Sequence, residues 1–597
     1  MKKTNLSITT ALLLATNLYS SQDLGTINIS SATKSEQSIK DTTSNVEVIT
    51  SYELEEKHIA TVSEALNSLS GISITSNGGL GQLDSLFIRG VDSKRVLILI
   101  DGIRYNEPAG LSGAPLAQLM VSDIEKIEIV KGAQSGIWGA DASGGVINII
   151  SKKPKEGLSG DVLLEGGSFN TKKITTTLGA KKDNYFIKLN ANKISTDGFS
   201  AFEAKEGTAD YGKRGDELGF EKDGYENTTY SVQGGVNITS NDTLKMLYKN
   251  IDAQYDYDSS TADDSTKVSY INHYFKNIDY THKKDDYSVN LKASQSKFNR
   301  TQDTFNAQSL VNEFAIQSKI SYRKEDTLLV GLSKQNFEDI VNNRKYQTDA
   351  LFVSNLNKFD KFIFSQALRY DNNNMFDEKV TGKLGLKYNF NQELYISSNY
   401  GTAYNAPTLG NLSYTSTLKP ESTISYDVSV GYSGLKVTYF ENKIEDMINY
   451  TFVPSFHYIN EDGTSTLKGF EIDYKKDIMQ DILLSINYTN LNAKDKDGKD
   501  LARRAKEDFK FGIDYYGVDK LHIGLNGQYV GERYDKANKQ GAQTGKYTIA
   551  NFVANYDIKK DLKVYTKVDN ITDKYYQTVD GYATTPRAYY AGIKYSF

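Results

Sequence analysis

Apolar and polar residues alternate one by one along most of the chain beyond residue 155. In LKVYTKVD (562–569), Leu562, Val564, Thr566 and Val568 fall on one side, and Lys563, Tyr565, Lys567 and Asp569 on the other. LLSINYT (483–489) and FIKLNAN (186–192) behave alike. A period of two places successive side chains on opposite faces of a strand, so these stretches predict strands with one apolar and one polar face. Gly, Asn and Asp turns separate them, and no helical period intervenes over about 440 residues. A half-wetted soluble sheet would explain any one strand. The whole run predicts a closed antiparallel transmembrane β-barrel over 156–597, because closure removes the exposed edges of so long a sheet. Membrane strands of about 9–11 residues, at roughly 20 residues per strand with its loop, give about 22 strands.

Residues 22–155 follow another rhythm. Thr50 with Glu53, and Thr61 with Glu64, have the spacing of two helix-opening capping boxes. The second opens a short helix with Val62, Ala65, Leu66 and Leu69 on one face and Gly71 at its end. Short apolar strands follow in SLFIRG (85–90), RVLILIDG (95–102), KIEIVKG (126–132) and VINII (146–150). This predicts a small α/β globule over 41–155. A barrel of about 22 strands has a lumen wide enough to need such a plug.

Composition sharpens the picture. The chain has 42 tyrosines, one tryptophan and no cysteine. Tyrosine suits a membrane–water interface. The lack of cysteine excludes a disulfide scaffold, a thiolate metal site and a cysteine nucleophile. A net charge of −5 gives no basic footprint for nucleic acid. Lys2 and Lys3, the apolar run around Ala11 to Ala15, and Ser20 and Ser21 have the layout of a secretory signal over 1–21. An exported, tyrosine-rich chain without apolar helices is expected in the outer membrane of a Gram-negative bacterium. GAQSGIWGADASGGVINII (132–150) packs five glycines and the tryptophan into nineteen residues. Its glycine spacing fits neither a dinucleotide fingerprint nor a P-loop. No arrangement of residues predicts catalysis, since GLSG and GADASGG are not nucleophile elbows.

FIRG (87–90), VLILIDGIR (96–104), IEKIEIVKG (124–132) and the glycine-rich stretch resemble the plug of TonB-dependent outer-membrane receptors. The closing segment 568–597 is similar to that family's last two strands. The glycines are then expected to serve close-packed turns and a core strand of the plug. Within the family, SNGGLGQLDSLFIRG (76–90), YGTAYNAPTLGNL (400–412), LKPEST (418–423), LARRAKEDFKFGIDY (501–515) and YVGERYDK (529–536) resemble the cobalamin-transporting branch. That resemblance implies energy-dependent uptake of cobalamin, driven by TonB and its inner-membrane energising complex. It also implies a monomer set among lipid and lipopolysaccharide. A ferric-siderophore or haem receptor on the same scaffold is the alternative, and a barrel adhesin or hydrolase a remote one. Haem receptors of the family usually carry a histidine in the interval corresponding to Ala406–Glu421, and there is none here. The five histidines, His58, His273, His282, His457 and His522, read as surface or wall residues.

The resemblance also assigns residues. Thr26, Ile27, Asn28, Ile29 and Ser30 sit where the TonB box is expected, in a 22–40 linker. An extended segment of this kind can add as a strand to a partner's sheet. Leu83, Ser85, Asp92, Leu111 and Ser112 on the plug, and Ser309, Arg503 and Asn538 on the barrel, fall on ligand-contacting positions. Asp92 replaces an amide there and Asn538 a tyrosine. The stretch 252–264 carries Asp252, Asp256, Asp258, Asp263 and Asp264 without a basic residue, and 220–226 adds Glu221, Asp223 and Glu226. Hard oxygen ligands without His or Cys suit Ca²⁺. The resemblance implies Glu221, Asp223, Tyr255, Asp256 and Asp264 as its ligands, with Ser200 where an aspartate is usual.

Overall fold

The computed structural model describes residues 27–111, 113–303, 305–323 and 325–597. The expected signal sequence, Thr26 and Ser112 therefore lie outside the described residues. Twenty-two antiparallel strands, from Gly157–Gly167 to Ala588–Ser596, form a closed barrel. Closure joins the last strand to the first in register, with Leu164 opposite Ile593, and Phe597 exchanges two backbone hydrogen bonds with Gly160. Most connections at one end are two to five residues, as at 183–184, 433–434 and 519–520. The other end carries loops such as 200–222, 495–506 and 570–587. Short periplasmic turns and longer external loops are the ordinary polarity of such barrels.

The alternation that predicts the strands has its faces reversed relative to a soluble sheet. Leu178, Ile187, Leu189 and Leu368 point outward and are exposed, whereas Lys188, Asn190, Lys510 and Lys567 are buried against the plug. The apolar face meets lipid, and the polar face meets the polar surface of the lumen contents.

The plug is built on a five-stranded sheet whose order is Val46–Thr50, Ile124–Lys131, Gly145–Ser151, Val96–Ile100, Ile103–Arg104. The central pair, Gly145–Ser151 and Val96–Ile100, is parallel. Val96–Ile100 is buried throughout, as expected for a strand covered on both faces. The helix Ser51–Glu56 opens with a reciprocal capping box between Thr50 and Glu53. The helix Val62–Leu66 opens with Thr61, whose hydroxyl accepts from the Glu64 N–H, while the Glu64 carboxylate reaches back to Ala60 instead. Leu54, Val62, Leu66, Ile98, Ile127 and Ile147 meet in one core beneath these helices.

The glycine-rich stretch supplies a short helix, Ser135–Trp138, and the strand Gly145–Ser151. The helix lies directly on the barrel wall. A β-carbon on Gly136 would sit 3.0 Å from the backbone of Gly382, so a larger residue would push the wall back by a few tenths of an ångström.

Candidate functional site at the external face and the N-terminal segment

Plug and wall are joined by buried charge. Arg89 donates to both carboxylate oxygens of Glu471 (3.0 and 2.9 Å) and to Asp427 (3.2 Å), and all three side chains are nearly or fully buried. Lys131 approaches the same Glu471 at 3.5 Å. Arg95 pairs with Glu421 through two donors and with Asp92 at 2.5 Å. These pairs fix the plug's height and rotation in the barrel.

Above them the plug presents two loops, 76–84 and 105–111. The first is held from both sides: Gln118 donates to the Gly81 carbonyl at 2.9 Å, and Gln82 donates to the Asp256 carbonyl at 2.5 Å. Gly81 has φ +85°, and a β-carbon there would lie 2.2 Å from the Tyr225 ring. Leu83 is exposed at the tip, and Ser85 follows in the strand Asp84–Ile88, opposite Thr75. In the second loop, Leu111 packs near the short helix Leu409–Tyr414, whose Leu409 N–H donates to Pro108. Leu83 and Leu111 thus belong to the two plug loops that meet the external space, and Ser85 to the strand that follows the first.

The remaining residues expected at the ligand site are placed differently. Asp92 is engaged by Arg95 and lies 3.6 Å from Arg504. Burial alone would raise its pKa, but Arg95, Lys94 and Arg504 together hold it down at about 2, so it carries a fixed negative charge. Arg503 has φ +62° and its guanidinium donates to Asp535 at 2.7 Å. Its neighbour Arg504 is the arginine that meets the plug: it donates to the Gly90 carbonyl at 3.0 Å and lies 4.5 Å above the Phe87 ring. Asn538 is exposed, with its N–H on the Asp500 carbonyl. Ser309 is fully buried on Phe305–Ser321, opposite Phe298 and Asp339 in its neighbouring strands, so its hydroxyl does not face the external space.

The acidic loops converge, with a changed membership. Ligand oxygens of Glu221, Asp258 and Asp263 lie within 4.8 Å of one another. The Ser200 hydroxyl is 3.5 Å from Asp258 and 3.4 Å from Asp263. One Glu221 oxygen is buried without a partner. Desolvation and the neighbouring carboxylates of Asp263 and Asp258 push the Glu221 pKa up to about 7. Asp223 adjoins the group but accepts from the Ala201 N–H at 2.5 Å. Asp256 accepts instead from Gly224, and Asp264 is bound by Thr266 and lies 3.4 Å from Lys267, just beyond the acidic run. Tyr255 is buried in an apolar cluster with Met120, Ile194 and Ile271.

At the periplasmic end, the chain from Ile27 folds back on the plug. Asn28–Ile29 pairs antiparallel with Gln37–Ser38, and Ile29 is buried on Val130. The N–H groups of Ser30 and Ser31 both donate to Glu128 at 2.9 Å, and the Trp138 indole donates to the Ser31 carbonyl at 2.8 Å. The expected strand-forming segment is therefore already hydrogen-bonded, and a partner strand could pair with it only after it detaches.

Among the histidines, His58 stacks on Tyr565, His273 contacts Phe298, and His522 lies between Glu56 and Asp514. His282 pairs with Asp242, and His457 contacts the Ser455 carbonyl.

Two family models match: the TonB-dependent receptor plug domain over residues 38–146 and the TonB-dependent receptor-like β-barrel over 165–571. The chain is 26% identical to the vitamin B12 transporter BtuB of Photobacterium profundum and 27% identical to that of Vibrio cholerae serotype O1 (strain ATCC 39541), in each case over the full length of both chains. Among solved structures, a mutant of the ferric enterobactin receptor PfeA from Pseudomonas aeruginosa superposes with a TM-score of 0.79 at 16% identity, covering 92% of this chain and 98% of the other. The siderophore receptor PirA from Acinetobacter baumannii gives the same score and coverage at 17% identity. With plug and barrel both matched, the chain belongs to the TonB-dependent outer-membrane receptors.

Proposed function

We propose that this receptor takes up cobalamin and that TonB, with its inner-membrane energising complex, drives uptake through the segment Thr26–Ser30. The observation that carries the ligand is the full-length likeness to two vitamin B12 transporters. The siderophore receptors, at 16–17% identity, share the fold alone. The protein acts as a monomer embedded in lipid and lipopolysaccharide. Ligand settles on Leu83, Ser85 and Leu111 at the plug apex, under the loops bearing Arg503 and Asn538. Arg504 braces the plug loop from the wall.

A second reading, a ferric siderophore with aromatic arms, is favoured by one feature. Tyr414, Tyr450, Phe452 and Phe456 form an exposed external cluster with ring centroids 5.1–6.0 Å apart. Aromatic faces at that spacing accept further planar rings.

The acidic loops suit Ca²⁺, which favours six to eight oxygen ligands. Glu221, Asp258 and Asp263, with the Ser200 hydroxyl and Asp223 beside them, would hold it, and the unpartnered Glu221 oxygen is the atom such an ion would satisfy. Bound calcium would order loops 200–222 and 257–267 before ligand arrives, at a saving of about 1–2 kcal/mol for each backbone residue already fixed.

Titration of the purified protein with cyanocobalamin, with and without millimolar Ca²⁺, tests both ideas. Calcium is expected to tighten binding by about 5–150-fold. The Asp258→Asn, Asp263→Asn protein should lose that response. Calcium binding needs deprotonated carboxylates. With Glu221 at about 7, calcium affinity should fall as pH drops from 8 to 6. Cobalamin binding indifferent to chelation would reduce the cluster to a solvated surface, and absence of cobalamin binding would overturn the ligand.

A further inference from the structure

The outer wall of the barrel is hollowed in one sector. Across the strands Val268–Lys283, Tyr287–Gln302, Phe305–Ser321 and Thr327–Asp339 it carries a groove of about 870 Å³. Ala293 makes the floor. In register it lies between Ile278 and Phe314, both exposed, and its methyl group leaves a hollow between their larger side chains. Leu291, Ile316 and Leu332 continue the apolar surface toward the periplasmic side. A concave apolar surface buries more of an acyl chain than a convex wall does.

Three lysines stand at the external end of this groove. Lys276, Lys297 and Lys334 each adjoin an inward, buried residue (Phe275, Phe298 and Gln335), so all three face outward. None of them makes an ion pair among the described residues. The Tyr274 ring lies 4.8 Å from the Lys276 ammonium and 5.8 Å from that of Lys297, which keeps both over the same spot. Two carboxylates share this wall. Asp349 is opposite Lys334 in register but accepts from Gln347 at 2.6 Å, and Glu338 is opposite Lys345. Lys276 and Lys334 occupy the first and fourth of the four strands. At about 4.8 Å per strand they are roughly 14 Å apart. On the two strands between them stand the amides of Gln295 and Asn312, joined at 2.8 Å.

We propose that this groove binds a glycolipid of the outer leaflet, the lipid A part of lipopolysaccharide, with its acyl chains over Ala293 and its phosphates on the lysines. A disaccharide with a phosphate at each end has the length to reach from Lys276 to Lys334. Phosphate oxygens accept charge-assisted hydrogen bonds from ammonium groups, and lysines at the edge of an apolar band extend toward the head groups. The amides between them each offer a donor and an acceptor to sugar hydroxyls. A phospholipid, with one phosphate and two chains, would engage only one end of the span. The inference deepens the proposed setting in lipopolysaccharide and is independent of the transported ligand.

Native mass spectrometry of the full-length protein in neutral detergent tests it. The protein is titrated in turn with hexa-acylated lipid A, its dephosphorylated form, and phosphatidylglycerol. A single lipid A is expected to be held at least ten-fold more tightly than either of the others. The triple variant Lys276→Ala, Lys297→Ala, Lys334→Ala should bind lipid A at least ten-fold more weakly. Ala293→Trp, which fills the hollow, should do the same. The triple arginine variant at the three lysines should retain binding, and so should Lys443→Ala, which removes an exposed lysine already paired with Glu441 at 3.5 Å. Migration of unheated samples on denaturing gels checks that each barrel is folded. Equal retention of lipid A by the triple alanine variant would overturn the site, as would equal weakening by Lys443→Ala. Phosphatidylglycerol bound as tightly as lipid A would overturn the glycolipid. Cobalamin enters no arm of the experiment, so failure here would leave the transport reading standing.

Discussion

Uptake should collapse, and binding persist, when Ile27 is replaced by proline. Under the proposed coupling, the segment Ile27–Ser30 would reach a partner's sheet only as an extended strand, and strand addition depends on its backbone N–H groups. Proline removes one donor and fixes φ near −65°. The apical loops lie at the far end of the lumen, so they should be untouched. In the resting protein the cost is small as well, because the Ile27 carbonyl, which proline keeps, is the group that accepts from the Ile39 N–H. A loss of uptake of two orders of magnitude or more is expected, with cyanocobalamin binding to isolated outer membranes at the wild-type level. Unchanged uptake would show that energy enters elsewhere, and parallel loss of binding would show a folding defect.

Arg89→Met is the substitution expected to damage the fold most. Arg89 stands between Glu471 and Asp427, inside a seam that water does not reach. Without it, Asp427 loses its paired cation, and Glu471 keeps Lys131 at 3.5 Å and the more distant Lys436. Breaking one side of a buried pair costs about 3–5 kcal/mol, because the remaining charge is left uncompensated. The barrel's own hydrogen bonds are unaffected, so the loss should appear as plug loosening. A lower melting temperature in detergent and protease cleavage within the plug are the readouts. The double variant Arg89→Met, Glu471→Gln should recover part of the loss, since it removes the stranded carboxylate. Equal melting of Arg89→Met and wild type would mean that the seam contributes nothing to docking.

The barrel was legible in the sequence because alternation of period two survives whatever lies on either face. Which face meets lipid was not contained in the period. Lys563, Tyr565, Lys567 and Asp569 read as the polar face, and on that face Lys567 is buried against Glu64 of the plug. The plug strands were legible as short apolar runs, and the Thr50 cap as a local spacing. The buried pairs were hidden for a simple reason: Arg89 and Glu471 are 382 residues apart, and no local pattern joins them. Adjacent residues also differ in what they touch, which no spacing foretells. The left-handed backbone at Arg503 leaves that residue on Asp535 and delivers Arg504 to the plug. In the acidic loop, Asp256 still belongs to a strand and bonds back to Gly224, so Asp258, two residues on, reaches the cluster. Spacing identified an oxygen-rich region and could not say which carboxylates converge.

Equilibrium binding decides the ligand most directly. The purified protein in detergent, with calcium present, is titrated side by side with cyanocobalamin, haemin and a ferric catecholate. Cyanocobalamin is predicted to bind at least a hundred-fold more tightly than either iron ligand. Saturable, tight binding of the ferric catecholate or haemin, with none of cyanocobalamin, would contradict it.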